Sequence, residues 1–454
     1  MAAIPLLEDW RATGREVAVV GLGKSGVAAT LFLRDHRLPV YASDLGTGGA
    51  WDDWAATLRA AGAEVQLGGH DLDRIVLAVA VVVAPGVPPA VPSLVAARGA
   101  GVPIYAEVDI GFLGLDGTRC IGITGTNGKT TTTSLVAHVL VAGGIRAETA
   151  GNIGRPLCDV ARASDRPDWL ALELSSFQLH DAPHIRPAIG VLTNLAPNHL
   201  DRYHSLEEYY SDKALLFRKA GPESVWVTNA DDPAVRAMTH GVAGCHLRFS
   251  LSERADGWFD RAGGRLMLGP TPLLSRMELP LLGDHNVANA LAAALAAREV
   301  GSPPEDIAAG LRTFRAIPHR VEPVREVDGV LWINDSKSTN ITSTEVAVAA
   351  LDRPFVLLLG GRHKGEPYTR LAGPLRARCR AVVAYGESGP LVMADLGQSL
   401  RVVPAGSFED VLATARGLAR PGDAVLLSPA CSSYDMFENY EERGERFRRM
   451  VEAM

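Results

Sequence analysis

The chain has 454 residues, room for two to four domains at about 150 residues each. A hydrophobic share of 47% and a charged share of 21% exclude a disordered polypeptide. A net charge of −7 supplies no global positive field, so neither a nucleic acid nor an anionic membrane surface is an expected partner.

The five cysteines (Cys120, Cys158, Cys245, Cys379 and Cys431) form no C-x-x-C pair, which excludes the usual zinc and redox spacings and fits free thiols in a reducing compartment. Residues 1–16 contain no basic stretch followed by an apolar core, so no signal peptide is expected. The longest apolar run, Ile75 to Ala84, is too short to span a bilayer. Its β-branched content and the following Pro85-Gly86 predict a buried strand. A cytoplasmic protein without membrane insertion is the expectation.

In chain order, Val17–Val20 reads as a strand, Ser25–Asp35 as a helix and Val40–Ala42 as a strand. Between the first two lies Gly21-x-Gly23-x-x-Gly26, and Asp44 follows 18 residues after Gly26. That spacing matches a dinucleotide fingerprint, with glycines admitting a pyrophosphate and an acid taking ribose hydroxyls. A tight turn with close helix packing and no ligand is the plainer reading, and the pattern does not say which nucleotide, NAD being the usual one.

Cys120–Ile123 predicts a strand and Lys129–Ala142 a helix stopped by Gly143-Gly144. Between them runs Gly125-Thr126-Asn127-Gly128-Lys129-Thr130. Backbone N–H groups of such a loop cradle phosphates, Lys129 can neutralise the β and γ phosphates, and Thr130 can place a hydroxyl on Mg²⁺. Ile123 stands where the full pattern has its first glycine, so the loop is a shortened version. Strands follow at Trp169–Leu174 and Ile189–Thr193, with helices at Leu206–Lys219 and His285–Ala297. Glu173 closes its strand at the edge where open α/β sheets bind ligands, and His199 and Asp201 lie on the loop after the next strand.

The third glycine turn, Gly360-Gly361, follows the strand Phe355–Leu359. Ala381–Tyr385 and Ala424–Leu427 are further short strands. Alternation of strands and helices around three glycine turns predicts an α/β protein of three domains, 1–107, 108–316 and 317–454.

Several motifs then resemble the Mur ligases. They are Gly125 to Thr130, Leu172-Glu-Leu-Ser-Ser-Phe-Gln178, Asn198-His-Leu-Asp201, His285-Asn-x-x-Asn289, Pro318-His-Arg320 and Asn334-Asp-Ser-Lys-Ser-Thr-Asn340. They run in family order over nearly the whole chain. The segment Ser428 to Phe437 is most similar to the D-glutamate-adding branch, and the Asp-Asn-Pro-Arg motif of the diaminopimelate- and lysine-adding branches is absent.

The resemblance implies an N-terminal Rossmann-like domain for the UDP substrate, a central P-loop ATPase-like domain, and a C-terminal Rossmann-like domain for the incoming amino acid. The substrates it implies are ATP, UDP-N-acetylmuramoyl-L-alanine and D-glutamate, with two Mg²⁺ ions, acting in peptidoglycan precursor synthesis. A monomer is expected. Lys24, Ser25, Asp44, Gly86, Asn152 and His199 would hold the UDP substrate, in place of NAD at the first glycine loop. Gly125, Thr126, Asn127, Gly128, Lys129, Thr130, Thr131, Asn286, Asn289, Arg320, Asp335 and Lys337 would meet ATP.

By the same resemblance Lys129, Glu173, His199 and Lys213 are the catalytic set. Thr130, Glu173, His199 and a carbamylated Lys213 would serve the metals. Thr339, Lys364, Ser433 and Tyr440 would hold D-glutamate. The family more often has Asp-Lys where Arg362 is followed by His363-Lys364, and Leu and Phe where this chain has Tyr434 and Tyr440.

Overall fold

The computed structural model describes residues 3–197, 203 and 205–454. Among them, three sheets of five, nine and six strands form. Two compact units result, residues 1–278 with 288–312, and residues 279–287 with 313–454.

The first sheet is parallel throughout, in the order Glu64–Leu67, Val40–Asp44, Val17–Val20, Ala80–Val83, Ile104–Ala106. Val17–Val20 and Ala80–Val83 are buried at every position, which explains runs of valine and alanine where an alternating pattern would mark a one-sided sheet. The strand order reverses beside Val17–Val20, so the loops after that strand and after Ala80–Val83 diverge and leave a crevice. Helix Lys24–Asp35 packs tightly on the first loop: a Cβ at Gly26 would lie 1.7 Å from the Gly21 carbonyl oxygen. The third glycine of the pattern is therefore required by packing.

The run Ile75 to Ala84 is not one strand. Its first part belongs to helix Leu72–Leu77, and only Ala80–Val83 joins the sheet. The Asp71 side chain accepts from the N–H groups of Asp73 and Arg74, and this N-cap outweighs the β preference of Ile75 and Val76. Likewise the helix expected to reach Lys219 ends at Ala214 and passes into a 3₁₀ turn at Leu215–Phe217.

In the nine-stranded sheet, Arg119–Thr124 lies between Ile189–Leu192 and Trp169–Glu173, parallel to both. The far edge adds an antiparallel meander, Gly257–Asp260, Arg265–Leu268 and Thr271–Ser275. The six-stranded sheet of the second unit places Ala424–Leu427 between Val330–Asn334 and Phe355–Gly360, all parallel, with Glu322–Val327 antiparallel on the edge.

After the first sheet, helix Glu107–Leu113 carries a fully buried carboxylate. Glu107 accepts from the Cys158 N–H at 2.7 Å, yet burial pushes its carboxyl up to about 7. Below pH 4.5 folded and unfolded chains both hold this proton. Between 4.5 and about 7 only the folded chain does, so stability falls as pH rises and the full loss is reached above about 7. Glu107→Gln removes that penalty, about 3 kcal/mol. We expect its melting temperature to exceed the wild type's at pH 8 and to match it near pH 4.5, in thermal unfolding followed by circular dichroism.

Candidate functional site

The residues expected at the phosphate loop converge. Gly125 and Gly128 have φ of +144° and +81°, open to glycine at little cost. A Cβ at Gly125 would lie 2.0 Å from Thr193 Oγ1, and one at Gly128 2.3 Å from Asn289 Oδ1. The loop is braced from the strand beside it: Asn194 Oδ1 accepts from Asn127 N at 2.9 Å, Asn194 Nδ2 donates to the Asn127 carbonyl at 2.9 Å, and Thr126 N donates to the Asn194 carbonyl at 2.8 Å. Thr132 Oγ1 donates to Asn289 Oδ1 at 3.2 Å, joining the helix after the loop to helix Asp284–Val300. Thr193 and Asn194 were not singled out by sequence, because their role depends on a strand that pairs with Arg119–Thr124.

Two lysines meet at this loop. Lys129 Nζ donates to the Gly125 and Thr126 carbonyls, each at 2.9 Å. Lys213 Nζ donates to the same Gly125 carbonyl at 2.9 Å and lies 4.8 Å from the Tyr209 ring centroid. Lys213 is 1% exposed, and its pKa is held well below the usual lysine value, first by burial and then by the charge of Lys129. Thr130 and Thr131 are half-buried on the first turn of the helix.

Glu173 ends the neighbouring strand, paired with Ile123 just before the loop. Its Oε1 accepts from Asn152 Nδ2 at 2.8 Å, and its Oε2 is buried with no hydrogen-bond partner. An unsatisfied buried carboxylate oxygen, with the Thr130 hydroxyl on the adjoining helix, is the hard-oxygen chemistry that suits magnesium. Asn198, His199 and Asp201 lie outside the described residues. On the helix carrying Lys213, Asp212 accepts from Tyr203 at 2.9 Å and lies 2.8 Å from His180 Nδ1, whose pKa it raises.

A cleft of about 420 Å³ lies at the crevice of the first sheet. Lys24, Ser25, Asp44, Gly86 and Asn152 all line it, joined by His70, which sequence reading did not single out. His70 Nδ1 is 2.8 Å from Ser43 Oγ, and burial lowers its pKa. Asp44 already accepts from the backbone N–H of Gly46 at 2.7 Å and of Leu22. Part of its work is thus to hold the glycine loop open. A second cleft of about 830 Å³ shares the Ala84–Pro88 loop and includes Gln178, whose Nε2 is buried without a hydrogen-bond partner.

The second unit holds the remaining candidates. Lys364 Nζ donates to Thr339 Oγ1 at 3.1 Å, so two of the expected amino-acid-binding residues meet. Ser433 is buried. Lys337 Nζ lies 5.4 Å from the Tyr440 ring centroid. Asp335 is buried, accepts from Val321 N at 3.1 Å and Ser428 Oγ at 2.7 Å, and burial raises its carboxyl to about 6. The Arg320 Nε is buried with no hydrogen-bond partner. Asn286 Nδ2 donates to the Leu282 carbonyl at 2.8 Å. Of the departures from the family pattern, Arg362 pairs with Glu387 at 3.0 Å, His363 Nδ1 lies 3.2 Å from the Tyr368 hydroxyl, and Tyr434 is exposed.

Three family models match the chain in order. They are a MurD-like N-terminal domain at residues 15–106, a Mur ligase middle domain at 123–297, and a Mur ligase glutamate ligase domain at 319–431. A UDP-N-acetylmuramoylalanine–D-glutamate ligase of Acidobacterium capsulatum is 39% identical over 97% of this chain and 96% of its own length. The chain belongs to the Mur ligase family. A second ligase of that name, from Salinibacter ruber, is 41% identical to this Mur ligase over 96% of the chain and 97% of its own.

Solved structures share the three-domain α/β fold of this Mur ligase. UDP-N-acetylmuramate-alanine ligase of Thermotoga maritima superposes with a TM-score of 0.61 at 19% identity, over 96% of this chain and 99% of that one. A pseudomurein peptide ligase type C of Methanothermus fervidus does so with a TM-score of 0.58 at 20% identity, over 97% and 99%. Among the described residues no helix is long and apolar enough to cross a membrane.

Proposed function

We propose that this Mur ligase joins D-glutamate to UDP-N-acetylmuramoyl-L-alanine at the expense of ATP, releasing ADP and phosphate, in cytoplasmic peptidoglycan precursor synthesis. The observation that carries the reading is the meeting of Lys129, Lys213 and Glu173, whose buried Oε2 has no hydrogen-bond partner, around a phosphate loop. Identity to the D-glutamate ligases over nearly the full chain supports the choice of amino acid. Segments 1–107, 108–316 and 317–454 are taken as the three domains, in keeping with a first sheet whose last strand ends at Ala106 and a third that starts at Glu322.

Amide formation from a free carboxylate is uphill in water, so the acid is activated. The γ-phosphoryl group of ATP passes to the carboxylate of the UDP substrate. The D-glutamate amine then attacks the acyl carbon and phosphate leaves. Phosphoryl transfer needs positioning and neutralisation more than covalent help. Lys129 supplies the charge and the loop Gly125, Thr126, Asn127 and Gly128 the cradle, with Thr130 and Thr131 on the first turn of its helix and Asn289 reaching it from helix Asp284–Val300. Asn286, Arg320, Asp335 and Lys337 complete the ATP set.

Lys24, Ser25, Asp44, Gly86, Asn152 and His199 bind the UDP substrate. Thr339, Lys364, Ser433 and Tyr440 bind D-glutamate, whose two carboxylates call for cations and hydroxyls. Two magnesium ions, held by Thr130, Glu173, His199 and a carbamylated Lys213, would screen the phosphate charge. A neutral buried amine is the form that captures CO₂, and burial favours that form of Lys213. The enzyme is taken to act as a monomer.

The test is phosphate release from ATP with UDP-N-acetylmuramoyl-L-alanine, with and without D-glutamate. Release that needs both, with L-glutamate inactive, is expected. Release with a different amino acid would keep the mechanism and overturn the substrate.

A further inference from the structure

The last helix, Tyr440–Glu452, carries a side chain that the chemistry above does not use. Arg443 is 0% exposed. Its guanidinium binds main-chain and hydroxyl oxygens in place of a carboxylate. Nε donates to Ser336 Oγ at 2.9 Å, Nη2 to the Ser336 carbonyl at 2.8 Å, and both Nη atoms to the Cys431 carbonyl at 3.3 Å. Ser336 Oγ in turn donates to the Tyr440 carbonyl at 2.8 Å, at the start of the same helix. A Cβ at Gly361 would sit 3.4 Å from Nη1 and 2.3 Å from the Ser432 carbonyl oxygen.

One planar fork therefore binds two loops, after Val330–Asn334 and after Ala424–Leu427, and lies beside Gly361 in a third, after Phe355–Gly360. The first carries Lys337 and Thr339, the second Ser433, and the third Lys364. The second and third are also tied by Arg362 N donating to the Ser432 carbonyl at 2.9 Å. Five N–H donors in a rigid plane suit this task, and a lysine has only a point charge to offer.

We propose that Arg443 is a positioning residue which sets these three loops in register and so determines affinity for the incoming amino acid. The inference rests on the amino-acid-binding roles given above. It goes further in naming a buried residue that touches no substrate.

The test uses the full-length enzyme and the variants Arg443→Lys and Ser336→Ala. Wild-type turnover with D-glutamate is measured first, so that a wrong amino acid is recognised before any variant is compared. The Michaelis constants for D-glutamate and for the UDP substrate are then measured with melting temperatures. In Arg443→Lys the constant for D-glutamate should rise about tenfold or more, because loosely held groups bind poorly. The constant for the UDP substrate, bound in the other unit, should stay within about twofold. Ser336→Ala, which removes one contact of the fork, should shift the D-glutamate constant the same way by less. Folded variants with an unchanged D-glutamate constant would overturn the proposal, as would equal rises for both substrates. Should Arg443→Lys fail to fold, Ser336→Ala decides on the same criteria.

Discussion

Lys129→Ala should lower phosphate release at saturating substrates by about 10³-fold or more, the scale on which a single preorganised charge at a transferring group acts. In the structure the ammonium folds back onto the Gly125 and Thr126 carbonyls. A nucleotide phosphate arriving there would exchange these weak backbone acceptors for strong anionic ones. Arginine should not rescue it, because its fork would compete with the Lys213 amine, which already uses the Gly125 oxygen. Binding of the UDP substrate, measured calorimetrically without ATP, should be nearly unchanged, because its cleft is lined by other residues. Turnover within about tenfold of wild type would remove the phosphate loop from the mechanism.

The second large effect is expected at Lys213. The side chain is buried against Gly125 and Tyr209, beside a second lysine, an environment that costs a cation dearly. A simple salt-bridging role is therefore a poor use of the position, whereas a neutral amine that accepts CO₂ becomes an anion with two oxygens. Lys213→Ala should lose about 10³-fold in turnover, and short-chain carboxylates such as acetate or propionate should restore part of it by filling the vacated space with an anion. Wild-type enzyme in ¹³C-labelled bicarbonate should show a carbamate signal that the variant lacks. No rescue and no carbamate would leave Lys213 as an unmodified amine and end this part of the mechanism.

What was legible in the sequence follows from the range of the interactions. Gly125 to Lys129 announce themselves because strand, turn and helix follow one another within a few residues, and the first glycine loop is as local. Thr193, Asn194 and Asn289 brace the phosphate loop across a sheet and from a distant helix, so only Asn289 could be found, and that by family likeness. Arg443 stands in Glu441-Glu442-Arg443, which reads as a solvated helix face. Burial of its guanidinium depends on two loop carbonyls that come together only in the folded unit. The misread run Ile75 to Ala84 shows the opposite failure. Asp71, the cap that starts the helix, is as local a signal as the β-branched run, and its pair of capping hydrogen bonds outweighs that composition.

The bracing of the phosphate loop also bears on the order in which the protein becomes active during folding. The residues that hold Asn127 and Gly128 come more than sixty and more than one hundred and fifty positions later in the chain. Closing loops of that length is slow relative to forming the local helix. A nascent chain ending before Thr193 would carry every glycine of the loop and the lysine, yet lack Thr193 and Asn194, which brace them. Nucleotide binding should therefore be a late property of the growing chain, gained only when helix Asp284–Val300 has docked. That delay would spare ATP from a half-made enzyme.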